Sequence, residues 1–164
     1  IAAAGKGPAS IEPWDYLYYA EKVRRDRYDL DQGELKPYFD VDNMVAAALW
    51  AGERRYGITF AEMTGRLPVF HPDVRVWEVK DAGSGAHRGL FYMDNFARAG
   101  KRSGAWASSY RPQHTFDGVI TPIASNNNNF VKAAPGEATL ISLDDAETLF
   151  HEFGHALHGL LQNI

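Results

Sequence analysis

The 164-residue chain contains no cysteine. A disulfide scaffold is excluded, as is any zinc site built on thiolates, so only histidine and carboxylate remain as strong metal ligands. The absence fits a reducing compartment. A cytoplasmic location is expected, and the periplasm is the other compartment compatible with it. Long apolar runs are also missing. The longest plainly apolar stretch, Val45 to Ala51, is far shorter than the roughly 20 residues that cross a bilayer, and no membrane partner is expected. Neither sign of charge dominates: 17 Lys and Arg stand against 21 Asp and Glu, a net charge of −4. That excludes the basic surface on which nucleic-acid binding depends, so nucleic acid is not expected as a partner. An initiator Met and a recognisable signal peptide are lacking too.

What is present suffices for a core. Hydrophobic residues make up 45% and aromatics 13% of the chain, and one domain is expected over residues 1–164. Residues 1–9 are small and Gly-rich and are expected to be loose. Pro13 suits the first turn of a helix whose apolar stripe is Trp14, Leu17, Tyr18 and Tyr28. The mixed charges of Glu21 to Arg27 read as its solvated face. A second helix is predicted from Val41 to Tyr56, with Asp40 as N-cap and Gly57 ending it. Val41, Met44, Val45, Ala48 and Leu49 recur at helical spacing and read as core.

After Pro72 the period shortens. A strand is predicted over Val74 to Lys80, a turn over Asp81 to Gly85, and a returning strand over Gly89 to Met93. Val119 to Ile123 reads as another strand, its Pro122 suiting an edge. The run Asn126 to Asn129 reads as a turn or hydrogen-bonding loop, and Ala138 to Ile141 as a last short strand. Ser142 caps a final helix, with Asp145 three residues on. The predicted fold class is α+β: helices plus a small, mostly antiparallel sheet leading into that helix.

The final helix carries His151-Glu152-Phe153-Gly154-His155. Residues four apart on a helix lie one above the other. His151 and His155 can therefore aim both imidazoles at one ion, at the roughly 2.0–2.1 Å of zinc–nitrogen bonds. Glu152 is about 100° further round the helix, beside the metal rather than on it, where it can serve as general base. Two histidines and an adjacent base form the helical half of a zinc peptidase site. The competing reading is a surface helix with two solvated histidines. Thr148, Leu149, Phe150, Phe153, Ala156, Leu157, Leu160 and Leu161 make the helix apolar round most of its circumference, so it is expected to be buried. His158 lies two turns, or about 10 Å, beyond His151 and is expected as a supporting or core residue rather than a ligand.

The segment His151-Glu152-Phe153-Gly154-His155-Ala156-Leu157-His158, preceded by Asp144-Asp145 and Leu149-Phe150, resembles the active-site helix of the M3 family, the thimet-oligopeptidase-like zinc peptidases. Upstream blocks agree in order and spacing: Tyr19-Ala20-Glu21-Lys22-Val23-Arg24, Glu34-Leu35-Lys36-Pro37-Tyr38-Phe39, His71-Pro72-Asp73-Val74-Arg75, Gly89-Leu90-Phe91-Tyr92-Met93-Asp94 and Lys101-Arg102-Ser103-Gly104-Ala105-Trp106. The set is most similar to the family's bacterial peptidyl-dipeptidase branch, and it covers the chain from about Trp14. The resemblance implies a mainly α-helical metallopeptidase, several times longer than this chain, that holds short peptides in a channel between two lobes. This chain would be an internal fragment of its catalytic region.

By position, the resemblance makes His151 and His155 zinc ligands and Glu152 the general base. It implies a third ligand, a glutamate further downstream than the nine residues that follow His155, together with downstream residues that bind substrate. It matches Ser103-Gly104-Ala105-Trp106 to a strand that pairs with the substrate backbone, a task that the small Gly104 and Ala105 suit. A plain tight turn at Gly104 is the other reading of those residues. The expected function is zinc-dependent hydrolysis of oligopeptides, with release of C-terminal dipeptides by the complete protein. The alternative is an inactive fragment with a half-formed zinc site. Such a fragment would self-associate or pair with the missing parts of the enzyme through exposed apolar surface.

Overall fold

The computed structural model describes residues 11–28 and 32–162. The segment expected to be loose, residues 1–9, lies outside the described residues. The chain divides into two compact units, Ile1–Leu35 and Lys36–Ile164.

In the first unit a 3-10 turn, Pro13–Asp15, leads into helix α1, Tyr16–Tyr28, and a short helix α2 spans Gln32–Leu35. The Asp15 carboxylate accepts a hydrogen bond from the Glu12 backbone N–H at 3.3 Å, and the Asp15 N–H donates to the Glu12 carbonyl at 2.9 Å. No α1 residue is buried. The stripe of Trp14, Leu17, Tyr18 and Tyr28 expected to face a core is exposed within this unit. The charged face behaves as expected: Glu21 pairs with Arg24 and Arg25, and Lys22 lies over the Tyr18 ring.

The second unit is an α+β layer structure. Helix α3, Val41–Tyr56, has the predicted bounds. The Asp40 side chain accepts from the Asn43 N–H at 3.1 Å, and Gly57 ends the helix in the left-handed conformation, φ 62°. Five strands follow: β1, Ile58–Glu62; β2, Arg75–Asp81; β3, His87–Phe96; β4, Trp106–Arg111; and β5, Ile123–Phe130. They form one sheet in the order β1-β2-β3-β5-β4. Every neighbouring pair is antiparallel except β3 with β5. Helix α4, Leu143–Leu161, closes the unit.

Both long helices cover one face of the sheet. Val45 and Ala48 of α3, Trp77 and Val79 of β2, Phe91 and Met93 of β3, Ala124 and Phe130 of β5, and Leu149, Phe153 and Leu160 of α4 form a single core. Phe153 packs against Phe60 and Phe91, with ring centroids 5.9 and 5.5 Å apart. No helix among the described residues is long and apolar enough to cross a membrane.

The predicted β2–β3 hairpin is present, but three expectations need correction. Val119 to Ile123 is not a strand: Pro122 ends the lead-in to β5, where its lack of an N–H costs nothing and its carbonyl accepts from the Leu90 N–H at 3.0 Å. Ala138 to Ile141 contributes only an isolated bridge between Leu140 and Asp40. The asparagine run is no loop. Asn126 to Asn129 lie inside β5, between β3 and β4, and the first three are buried. Asparagine is poor in strands by propensity, but here three of the four side chains find partners, and only the buried Asn126 amide has none among the described residues. Asn127 donates to the Trp106 carbonyl at 3.3 Å, Asn128 to the Asn95 side chain at 2.9 Å, and Asn129 to two further carbonyls.

The crossover between β3 and β5 is tight at Gly89. A Cβ there would stand 2.7 Å from the Pro122 carbonyl oxygen, 3.0 Å from Pro122 Cγ and 3.1 Å from Leu160 Cδ2. Gly89→Ala should therefore push β5 away from β3 at a cost of about 1–3 kcal/mol. Amide exchange in β3 and β5 should accelerate accordingly, and unchanged protection would contradict the close approach.

Candidate active site

Helix α4 owes its start to a reciprocal cap. The Ser142 hydroxyl accepts from the Asp145 N–H at 3.1 Å, and the Asp145 carboxylate accepts from the Ser142 N–H at 3.1 Å. Asp144 and Asp145 in the first turn complement the helix dipole. The buried face is Ala146, Leu149, Phe153, Ala156, Leu157 and Leu160. The helix is thus buried on one face rather than round most of its circumference. Phe150, His151, Gly154, His155 and His158 lie on a face that these residues leave exposed.

On that exposed face the two histidines converge. His151 Nε2 and His155 Nε2 are 3.1 Å apart, with ring centroids at 4.8 Å and ring planes at 80°. Two nitrogens bound to one tetrahedral zinc at 2.0–2.1 Å would be separated by about 3.3–3.4 Å. The pair therefore fits a shared ion with a shift of a few tenths of an ångström. The same spacing suits an N–H···N hydrogen bond, which one ring donates when no ion is shared. The histidines could supply two ligands. Among the described residues, no group of three or more His, Cys, Asp or Glu side chains could hold a metal ion.

Glu152 is half-buried. With His151 it lines a cleft of about 510 Å³, completed by Asp144, Glu147, Thr148 and Ala105. Ala105, singled out from sequence for a role with substrate, is therefore brought to the same cleft as the candidate base. The expectation that it sits in a strand is corrected. Gly104 has φ 82° and is exposed, Ala105 follows it, and β4 begins only at Trp106. Among the described residues, strand β4 is an edge of the sheet, hydrogen-bonded to β5 alone, and α4 packs against it.

His158 is not a core residue. It is exposed, in a second cleft lined by Tyr56, Gly154, Leu157, Leu161 and Gln162. Asp144, Glu147 and Thr148 were not anticipated. They precede His151 by seven, four and three residues, the helical spacing that would have placed them on its face.

A profile of peptidase family M3 matches residues 1–163. The chain belongs to peptidase family M3. It is 46% identical over 156 residues to the dipeptidyl carboxypeptidase of Escherichia coli, an alignment covering 94% of this chain and 22% of that protein. The Salmonella typhimurium dipeptidyl carboxypeptidase is 44% identical over the same shares. Oligopeptidase A of Salmonella typhimurium is 39% identical over 166 residues, all of this chain and 24% of the relative. The chain thus spans about a quarter of the length of these M3 relatives. In this chain the exposed face of α4 carries the histidine pair, with half-buried Glu152 next to it, and α4 packs against an edge strand of the mixed sheet.

Proposed function

We propose that this segment supplies the helical half of a zinc site that hydrolyses peptide bonds in oligopeptides, and that the complete protein releases dipeptides from free C-termini. The observation that carries the reading is the convergence of the His151 and His155 Nε2 atoms at 3.1 Å, with Glu152 in the cleft that Ala105 also lines. His151 and His155 would hold the ion. Zinc bound there supplies a Lewis acid for the scissile carbonyl and for water. Glu152 accepts the proton that water gives up and passes it to the leaving amine. The free edge of β4 accepts the substrate as an added strand, with small side chains at Gly104 and Ala105 admitting its backbone.

The test uses the complete gene product. About one equivalent of zinc per chain and cleavage of an internally quenched peptide are expected. Chelation should remove activity, and added zinc should restore it. His155→Ala should lose both the metal and turnover. Amidating the C-terminus of the substrate should suppress cleavage if dipeptides are released, and leave it unchanged if cleavage is internal. Full activity in His155→Ala would overturn the reading.

A second reading applies to the 164-residue chain by itself, and the two-ligand site favours it. Catalytic zinc commonly has three protein ligands. Alone, the chain is a folded piece that binds zinc weakly and does not catalyse. Exposed Trp50 and Tyr56 would give it a surface for self-association or for pairing with other parts of the protein. Zinc content, turnover and oligomeric state of the isolated chain decide this. Stoichiometric zinc with turnover would rule it out.

A further inference from the structure

The segment 97–105, between β3 and β4, is held by side chains that the peptidase reading does not use. At its start, the Ala97 N–H donates to the Phe130 carbonyl at 3.0 Å. In its middle, the Lys101 side chain is 3% exposed and folds back onto the strand ends. Its ammonium donates to the carbonyls of Asp94 and Phe96, each at 2.9 Å, and to that of Asn128. Nearer the cleft, the Asn129 side-chain amide donates to the Arg102 carbonyl at 2.8 Å and the Gly104 carbonyl at 2.7 Å. Both partners are acceptors, so only the NH₂ end of the amide can face them. The carbonyls on either side of Ser103 are thus tied to one side chain of β5. The next residue along, Ala105, lines the cleft with His151 and Glu152.

Resting on the peptidase reading, we propose that Asn129 is a positioning residue. By gripping the Arg102 and Gly104 carbonyls, it presets the backbone that leads through Ala105 into β4, so that an incoming peptide meets an edge already in register with the catalytic helix. Lys101 anchors the same segment to the ends of β3 and β5. A segment ordered in advance does not have to be ordered by substrate, and the gain appears in binding. The arrangement also gives the asparagine run a purpose. Asn127 holds the Trp106 carbonyl and Asn129 those of Arg102 and Gly104, so two side chains of β5 fix the turn and the first residue of β4.

Asn129 is half-buried, so Asn129→Ala can be made without opening the core. In the complete gene product it should raise KM for a quenched oligopeptide about 5- to 20-fold, the scale of two lost hydrogen bonds. The kcat should stay within about threefold, with zinc content unchanged. Amide exchange at 102–106 should quicken by about tenfold, while protection in α4 stays as it was. Asn129→Asp keeps the shape but sets a carboxylate against two carbonyls, and should raise KM at least as much. Unchanged KM and exchange in Asn129→Ala, or wild-type behaviour in Asn129→Asp, would overturn the proposal. So would loss of zinc with exchange quickened throughout α4, which would make Asn129 a general structural residue. Absence of turnover in the unaltered protein would overturn the peptidase reading instead. Exchange at 102–106 would then still decide whether Asn129 holds the segment.

Discussion

Glu152→Gln should lower kcat for oligopeptide hydrolysis by about 10²–10⁴-fold, the range supplied by a positioned general base, while bound zinc remains stoichiometric. Glutamine preserves the size, the helix propensity and one oxygen of the side chain, but it cannot take a proton at neutral pH. The separation of metal retention from turnover follows from geometry. Residues 151 and 155 stack on one face and their Nε2 atoms meet at 3.1 Å. Residue 152 is rotated about 100° from 151 and stands in the cleft with Ala105, Asp144, Glu147 and Thr148. Under the proposed function, that cleft is where water and substrate would meet, beside the histidine pair. Two results would sink the assignment. Full turnover in Glu152→Gln would mean that another group moves the proton, and loss of zinc would make Glu152 a ligand.

Much of this site was legible in the sequence because it is local. The spacing of His151 and His155 and the offset of Glu152 are properties of one helix, and the cap from Ser142 and Asp145 marks where that helix starts. Helix α3 was legible for the same reason, through Asp40, Gly57 and the stripe between them. The exposure of the histidine face was not legible. Eight apolar residues suggested burial on nearly all sides, and only the packing shows that Phe150 and Gly154 fall on the open face while Phe153 fills the core.

The largest failure was β5. Four consecutive asparagines carry the propensity of a turn. Their place in the sheet is set by partners far along the chain: Asn95 for Asn128, Arg102 and Gly104 for Asn129, and Trp106 for Asn127. Non-local pairing leaves no periodic signal. The parallel pairing of β3 with β5 was invisible for the same reason, as was the placement of Ala105 in the cleft beside α4. Asn127, Asn128 and Asn129 donate to those partners, while the buried Asn126 amide has no hydrogen-bond partner among the described residues, so most of the run was a statement about tertiary contacts rather than local conformation.

A buried charge cluster at the end of β3 leads to the largest expected effect on stability. Asp94→Asn should destabilise this unit by about 3–5 kcal/mol, the cost of leaving a buried charge without its partner. The Asp94 side chain is 2% exposed, and Arg98 grips both its carboxylate oxygens at 2.7 and 2.8 Å. The Lys101 ammonium, equally buried, lies 3.1 Å from Asp94 Oδ1. Burial pushes the Asp94 carboxyl up, but the hydrogen bonds from Arg98 and Lys101 outweigh it and hold the carboxyl below its ordinary 3.8. A carboxylate whose folded value lies below its unfolded one adds stability at every pH above the unfolded value. That contribution is lost as pH falls through the folded value. The gap between wild type and Asp94→Asn should therefore be widest near neutral pH and should close progressively below about pH 4. Amide exchange of β3 and β5 measures it directly, and about 10²- to 10³-fold faster exchange is expected in the variant at pH 7. A gap that stayed constant down to pH 3 would show that the carboxylate charge does not hold the cluster together.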